Sequence, residues 1–213
     1  AKQYAQQYRV AIDMPAGPSE VMVVADDSAY PSFVAADLLS QAEHGADSQV
    51  ILLTDSELFA DLVEDEVVKQ LQELPRKELA IQALENSRIL VVDSSSFGEL
   101  INAYAPEHLI LATVINDELI ETVVNAGSVF IGNFTPESAG DYASGTNHTL
   151  PTNGYARQYS GVSLDSFVKK ITYQKISEEG LKNIGSAIER MAEAEELLAH
   201  KNAVSIRLKN VNR

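Results

Sequence analysis

The chain has 213 residues, 45% hydrophobic and 22% charged, which is enough to bury a core without staples and too apolar for a disordered segment. Its formal charge of -15, with only 16 basic residues and none massed on one stretch, excludes a phosphate-backbone partner, so no nucleic-acid binding is expected. Cysteine is absent, which rules out disulfides and thiolate metal sites and suits a cytoplasmic protein.

The opening AKQYAQQYRVAIDMP has no basic region followed by an apolar stretch, so it is not read as a secretory leader. Apolar runs such as VMVVA and LILAT are too short to span a bilayer, so no membrane partner is expected. From residue 13 onward, short β-rich apolar runs recur at 21–25, 50–54, 89–93, 109–113 and 128–132. Segments of helical periodicity separate them at 32–44, 57–74, 96–104 and 117–125. Continuous apolar strands alternating with amphipathic helices predict a parallel sheet covered on both faces. Residues 13–133 therefore read as a doubly wound α/β unit.

After Asn133 the texture changes, and TPESAGDYASGTNHTLPTNGYARQYSG carries almost no aliphatic periodicity. A long irregular stretch of this kind is usually functional or disordered. A short β-like run at 167–173 follows, then a helix from about Ser177 with an apolar stripe through Ile184, Ile188, Met191 and Leu198. Residues 203–211 extend that helix or turn into a strand. The predicted division is an α/β domain over 1–162 and a mainly helical tail over 163–213, which has no obvious place inside a doubly wound sheet.

Only four histidines occur, so each can be weighed. His44 ends the first helix in LLSQAEHG, and Gln41 lies three residues before it on the same face. That spacing lets two donors grip one metal ion; the ordinary alternative is a His⁺ stabilised at a helix C-terminus. His108 follows Glu107 in YAPEHLIL, where a helix gives way to a strand. The pair combines two different natural pKa values, suited to moving protons near neutrality, or it is a solvated loop pair. His148 shares an irregular loop with Asp141, a hard oxygen donor able to join His44 at zinc. His200, five residues after Glu195, lies on the late helix beside Lys201, where an exposed histidine usually does nothing. Ser19 precedes the first strand in the fixed turn PAGPSEV. No GxGxxG, GxxxxGK[ST] or GxSxG motif occurs, so a dinucleotide site of the usual kind is not visible.

Taken together, AIDMPAGPSEV, FVAADLLSQAEHGADSQVILLT, YAPEHLI, AGSVFIGNFTPESAGDYASGTNHTLPTNGYA and AHKNAV resemble the histidinol dehydrogenase family, in its order and along essentially the whole chain. The resemblance implies an incomplete Rossmann-like sheet with a C-terminal helical tail. It further implies zinc bound by Gln41, His44, Asp141 and His200, a donor set of two imidazole nitrogens and two oxygens that suits that ion. Glu107 and His108 match the family's catalytic pair. His108 takes protons as the alcohol is oxidised, and Glu107 activates the water that attacks the aldehyde. Ser19, His148 and Glu195 match substrate-contacting positions, alongside Gln41, His44, His108, Asp141 and His200. The implied reaction oxidises L-histidinol to L-histidine through a retained aldehyde, with two NAD. The implied assembly is a homodimer in which Glu195 and His200 complete the other subunit's site.

Two small departures, Ala46 where the family usually has Pro and the variable Glu196, touch no matched ligand. The larger one is length: the family's N-terminal half, with its NAD-contacting residues, has no counterpart here. No cofactor-binding residue is therefore assigned, and the chain is expected to turn over poorly or not at all by itself. The competing expectation is a non-enzymatic module that keeps the zinc site and binds imidazole-type ligands.

Overall fold

A computed structural model describes residues 1–211, which fall into two compact units, Ala1–Val168 and the residues from Lys169 onward. The first opens with α1 (Lys2–Gln6) and continues β1 (Glu20–Ala25), α2 (Pro31–Ala42), β2 (Gln49–Thr54), α3 (Glu57–Leu71), α4 (Lys77–Glu85), β3 (Arg88–Val91), α5 (Phe97–Tyr104), β4 (His108–Ala112), α6 (Asn116–Thr122), β5 (Ser128–Ile131) and α7 (Glu137–Tyr142). The strands form one parallel sheet in the order β3-β2-β1-β4-β5. Chain order reverses between β1 and β4, which is the doubly wound topology anticipated from the alternation of runs.

The pleat of β1 explains why its six residues are all buried. Val21, Val23 and Ala25 point to one face, packing with Val34, Leu38 and Phe59 of α2 and α3. Met22 and Val24 point to the other, against Phe97 and Ile101 of α5 and Leu119 of α6. Each such side chain removed from water contributes about 1.5–3 kcal/mol. The two half-cores fix β1 and β4 in register, with Val21 opposite His108.

Some expectations are corrected. The helix expected over 57–74 forms as α3 but stops three residues early, at Leu71, ahead of Pro75; α4, from Lys77, was not foreseen. The residue before a proline disfavours helical backbone, so the chain turns there. The helix α1 was not foreseen. The β-like run 167–173 is no strand; a 3-10 turn spans Leu164–Phe167 and no regular structure follows up to residue 176. Among the described residues no strand pairs with it, and a lone extended run leaves its ladder hydrogen bonds unmade.

The second unit is a hairpin of α8 (Glu178–Ala194) and α9 (Leu198–Val211). Ser177 caps α8, its side chain accepting from Gly180 N at 3.0 Å. Glu196, at φ 61°, breaks the chain between the helices, so Leu198 opens α9 rather than continuing the stripe of α8. The helices touch where Gly185 faces Leu208, and Lys201 pairs with Glu193 at 2.7 Å. Residues 203–211 are helix. No helix of the described residues is long and apolar enough to cross a membrane.

Candidate active site

The site forms at the amino ends of β1 and β4. Ala105 ends α5 in the left-handed region, φ 58° and ψ 62°, its N–H donating to Ile101 O at 2.8 Å. Such a backbone is strained for alanine, more so before a proline, and strain of this kind collects where chain direction matters. The direction set is that of Glu107 and His108. Gly127 N donates to Pro106 O and Ser128 N to Glu107 O, both at 2.9 Å. A Cβ on Gly127 would lie 2.4 Å from Glu107 O, so only glycine lets this segment approach so closely.

Glu107 and His108 are 5% and 4% exposed, which rules out a solvated loop pair. One residue holds both. Glu20 N donates to Glu107 Oε2 at 3.1 Å, and Glu20 O lies 3.3 Å from His108 Nδ1. A carbonyl only accepts, so Nδ1 carries the hydrogen and Nε2 keeps its lone pair. Burial holds the His108 pKa below its ordinary value, outweighing the Glu20 carbonyl and the Asp141 charge that act the other way. The ring is therefore neutral, and its approaches to Glu107 (3.7 Å) and Asp141 (3.8 Å) are contacts, not ion pairs. His108 Nε2 is buried without a hydrogen-bond partner and faces Asp141 Oδ1.

Burial pushes the Glu107 carboxyl up to about 7; the Glu20 N–H opposes this, the charges of Glu20 and Asp141 reinforce it, and Ser19 hydrogen-bonds the carboxyl. A carboxyl poised there exchanges protons near neutral pH. Glu20, itself raised to about 6 by burial, accepts from Gly154 N at 3.3 Å and so ties the later loop to the pair. A cleft of about 240 Å³ opens beside Glu107, lined by Met14, Gly17, His148 and Thr152. His148 itself is exposed. A larger apolar hollow of about 430 Å³ beneath α3 and α4 holds none of the candidate side chains.

Across from the pair, α2 and α7 contribute donors. His44 stands just past the end of α2, and its ring nitrogen, a Glu137 oxygen and an Asp141 oxygen lie within 4.8 Å of one another. Gln41, 1% exposed on α2, has neither amide atom hydrogen-bonded. A fully buried amide with no partner is costly, and an ion is one group that would satisfy its oxygen. Glu137 is 2% exposed with Oε2 unpartnered, and burial, then the charges of Asp141, Asp37 and Glu107, push its carboxyl up to about 8. Asp37, one turn before Gln41, is raised to about 7 by burial alone.

Of the residues singled out in the sequence, Ser19, Glu107, His108, Asp141 and His44 thus form a connected line, and His148 shares the cleft with Glu107. Glu195 and His200 belong to the hairpin unit, at the end of α8 and in the first turn of α9. Sequence reasoning missed Glu20, Asp37 and Glu137. Glu137 had a signal, standing four residues before Asp141 and hence on its helical face. Glu20 had none beyond its place next to Ser19.

A family model described as histidinol dehydrogenase matches residues 1–208. The chain belongs to the histidinol dehydrogenase family. It is 65% identical over 209 residues to the histidinol dehydrogenase of Bacteroides thetaiotaomicron, covering 98% of this chain and 49% of that protein. The Aliivibrio fischeri relative is 54% identical over 212 residues, covering 99% of this chain and 48% of its own length. The crystal structure of histidinol dehydrogenase from Elizabethkingia anophelis superimposes with a TM-score of 0.96 at 64% identity, over 100% of this chain and 49% of that one. The chain thus spans about half the length of the family members it matches.

Proposed function

We propose that this chain is the zinc- and substrate-binding half of a cytoplasmic histidinol dehydrogenase, which oxidises L-histidinol to L-histidine through L-histidinal with two NAD. The observation that carries this reading is the connected line Ser19–Glu107–His108–Asp141–His44, which runs from the buried Glu107–His108 pair out to an exposed His44, with unpartnered polar atoms on His108 and Gln41. Imidazole, carboxylate and amide oxygen suit zinc, so Gln41, His44 and Asp141 would hold it. Glu195 and His200 of a second copy would complete the site of a homodimer, with residues 163–213 as the crossing tail of the 1–162 domain. When bound, zinc would orient the substrate's imidazole and amino nitrogens.

His108 then serves as the base. Its Nδ1–H is fixed on Glu20 O, so Nε2 accepts the alcohol proton as the carbon is oxidised. Glu107, near its midpoint at neutral pH, takes a proton from the water that adds to the aldehyde. Ser19 and the Glu20 N–H hold that carboxyl in place. His148, in the cleft beside Glu107, contacts the substrate. No residue of this chain is assigned to NAD, so no hydride step is derived.

Calorimetry of L-histidinol with the purified chain, with zinc or with a chelator, tests the reading. Binding that needs zinc and disappears in His44→Asn is expected. Binding indifferent to both would overturn it. NADH formation by the chain alone is expected to be nil. A family-derived module that only binds imidazole ligands is the second reading, favoured by the unpartnered Gln41 amide beside the His44, Glu137 and Asp141 donors without any residue assigned to NAD. It is distinguished when the chain is supplied with the N-terminal half of a relative: NADH formation abolished by Glu107→Gln or His108→Asn supports the enzyme.

A further inference from the structure

The cleft beside Glu107 is lined by two segments, residues 14–17 and 148–152, and the second belongs to no helix or strand. Individual hydrogen bonds must therefore hold it. Two of them reach the segment that leads into β1. Gly17 N donates to Thr152 Oγ1 at 2.7 Å, and Gly154 N donates to Glu20 Oε1 at 3.3 Å. The two segments pack so closely that a Cβ on Gly17 would lie 2.7 Å from Asn153 Cβ. Asn153 and Gly154 are both left-handed, at φ 55° and 70°, and their turn closes through Tyr155 N donating to Thr152 O at 3.0 Å. That bond leaves the two central N–H groups to find an acceptor elsewhere, and the Glu20 carboxyl takes both. The same carboxyl accepts from Glu107 N, while Glu20 N donates back to Glu107 Oε2. Among the described residues no lysine or arginine pairs with Glu20. This buried carboxylate is compensated by backbone N–H groups from two separate segments.

We propose that the Glu20 carboxylate and the Thr152 hydroxyl are positioning groups for substrate binding, which hold residues 148–154 against residues 14–17 and so keep the shape of the cleft beside Glu107. This inference rests on reading that cleft as the substrate site. Glu20 costs stability where it stands, because burial raises its carboxyl to about 6. An amide of the same size relieves that cost, yet it offers a single oxygen to three N–H groups and turns its own NH2 toward the rest. The charge is thus placed for order rather than for stability. Thr152 is the neutral counterpart. It is buried, and its hydroxyl oxygen gives Gly17 N an acceptor that a valine of similar shape lacks. The order these two groups impose extends to His148, which lies on the same irregular stretch and lines the same cleft.

The experiment measures L-histidinol binding by the zinc-loaded chain at pH 7.5, by calorimetry, for the parent, Glu20→Gln, Thr152→Val and Thr152→Ser. Urea unfolding and hydrogen exchange of residues 148–157 are followed on the same proteins. Glu20→Gln should bind L-histidinol more weakly by about tenfold or more, although it should unfold at no lower urea concentration than the parent. Exchange within residues 148–157 should quicken by about tenfold, as expected for a lost charge-assisted hydrogen bond, while the sheet stays as protected as before. Zinc affinity, titrated against a chromophoric chelator, should stay at the parent's value, since neither group is a metal ligand. Thr152→Val should weaken L-histidinol binding in the same direction, and Thr152→Ser, which keeps the hydroxyl, should restore it. That pair decides the matter if Glu20→Gln does not fold. Binding at parental strength in both Glu20→Gln and Thr152→Val overturns the inference and leaves the substrate-site reading intact. Weaker binding that merely tracks lower stability does the same, as does quickened exchange without weaker binding. A zinc-loaded parent that binds no L-histidinol overturns the reading and the inference with it.

Discussion

The two ends of the parallel sheet are built from similar residues and treated differently. At the carboxyl ends of β1 and β4, where order reverses and doubly wound folds usually bind ligands, the polar groups largely satisfy one another. Asp26 Oδ1 accepts from Ser28 N at 2.9 Å and from the Ser28 hydroxyl, and Oδ2 accepts from Val114 N at 2.8 Å. Asn116 Oδ1 accepts from both Thr113 N and Thr113 Oγ1 at 3.0 Å. Only Asn133 Oδ1, after β5, is left buried and unpartnered there. At the amino ends, Glu20, Glu107 and His108 are buried, and His108 Nε2 has no partner. On α2 and α7, both amide atoms of Gln41 and Oε2 of Glu137 are unpartnered as well. A fold-level rule would look for the ligand at the first end. The unsatisfied groups place the candidate site at the second, and the site outranks the fold as a guide to function.

This contrast can be broken or sharpened. The largest effect is expected in a protein extended to the length of its relatives. There, His108→Asn should lower kcat by about 10²–10⁴-fold, whereas Asp26→Asn should leave kcat within a factor of three. Equal losses from both would erase the distinction between the two ends. Next, Gly127→Ala drives a Cβ into Glu107 O and should cost about 1–3 kcal/mol in urea unfolding, with weaker L-histidinol binding than the stability loss explains.

A smaller effect follows from Glu20, whose carboxyl burial raises from 4.5 to about 6. Between those values the folded chain keeps a proton that the unfolded chain has released. Stability therefore falls as pH rises through this window and stays lower above it. Glu20→Gln removes that penalty, so it should be more stable than the parent at pH 7.5, by up to about 2 kcal/mol. At pH 4.5 it should match the parent, and urea midpoints at the two pH values decide. The smallest change is Asp26→Asn, expected to cost about 1 kcal/mol of stability through its turn, with unchanged zinc affinity in the chelator titration.

Much of the architecture was legible from periodicity alone, because a strand buried on both faces must be apolar throughout. The runs containing Val21–Val24 and Leu109–Leu111 satisfy that condition and became β1 and β4. The helix expected over 57–74 became α3 and ended ahead of Pro75, whereas the helix beyond that proline, α4, was not anticipated. The hairpin break at Glu196 left no such mark, since a single left-handed residue is a matter of packing rather than composition. The pattern at 167–173 misled because a strand exists only by pairing, which a local sequence cannot promise.

The sequence by itself determined the fold class and the family, and it named His44, Glu107, His108 and Asp141 as the groups worth watching. Tertiary structure alone decided what state those groups are in. Glu20 lies 87 residues from Glu107, yet its backbone fixes that carboxylate and leaves His108 Nε2 free. Glu137 became conspicuous only once folding had buried it among Asp141, Asp37 and Glu107, beside His44. Residue types travel with the sequence, whereas desolvation and the direction of a lone pair arise only when distant segments close over one another.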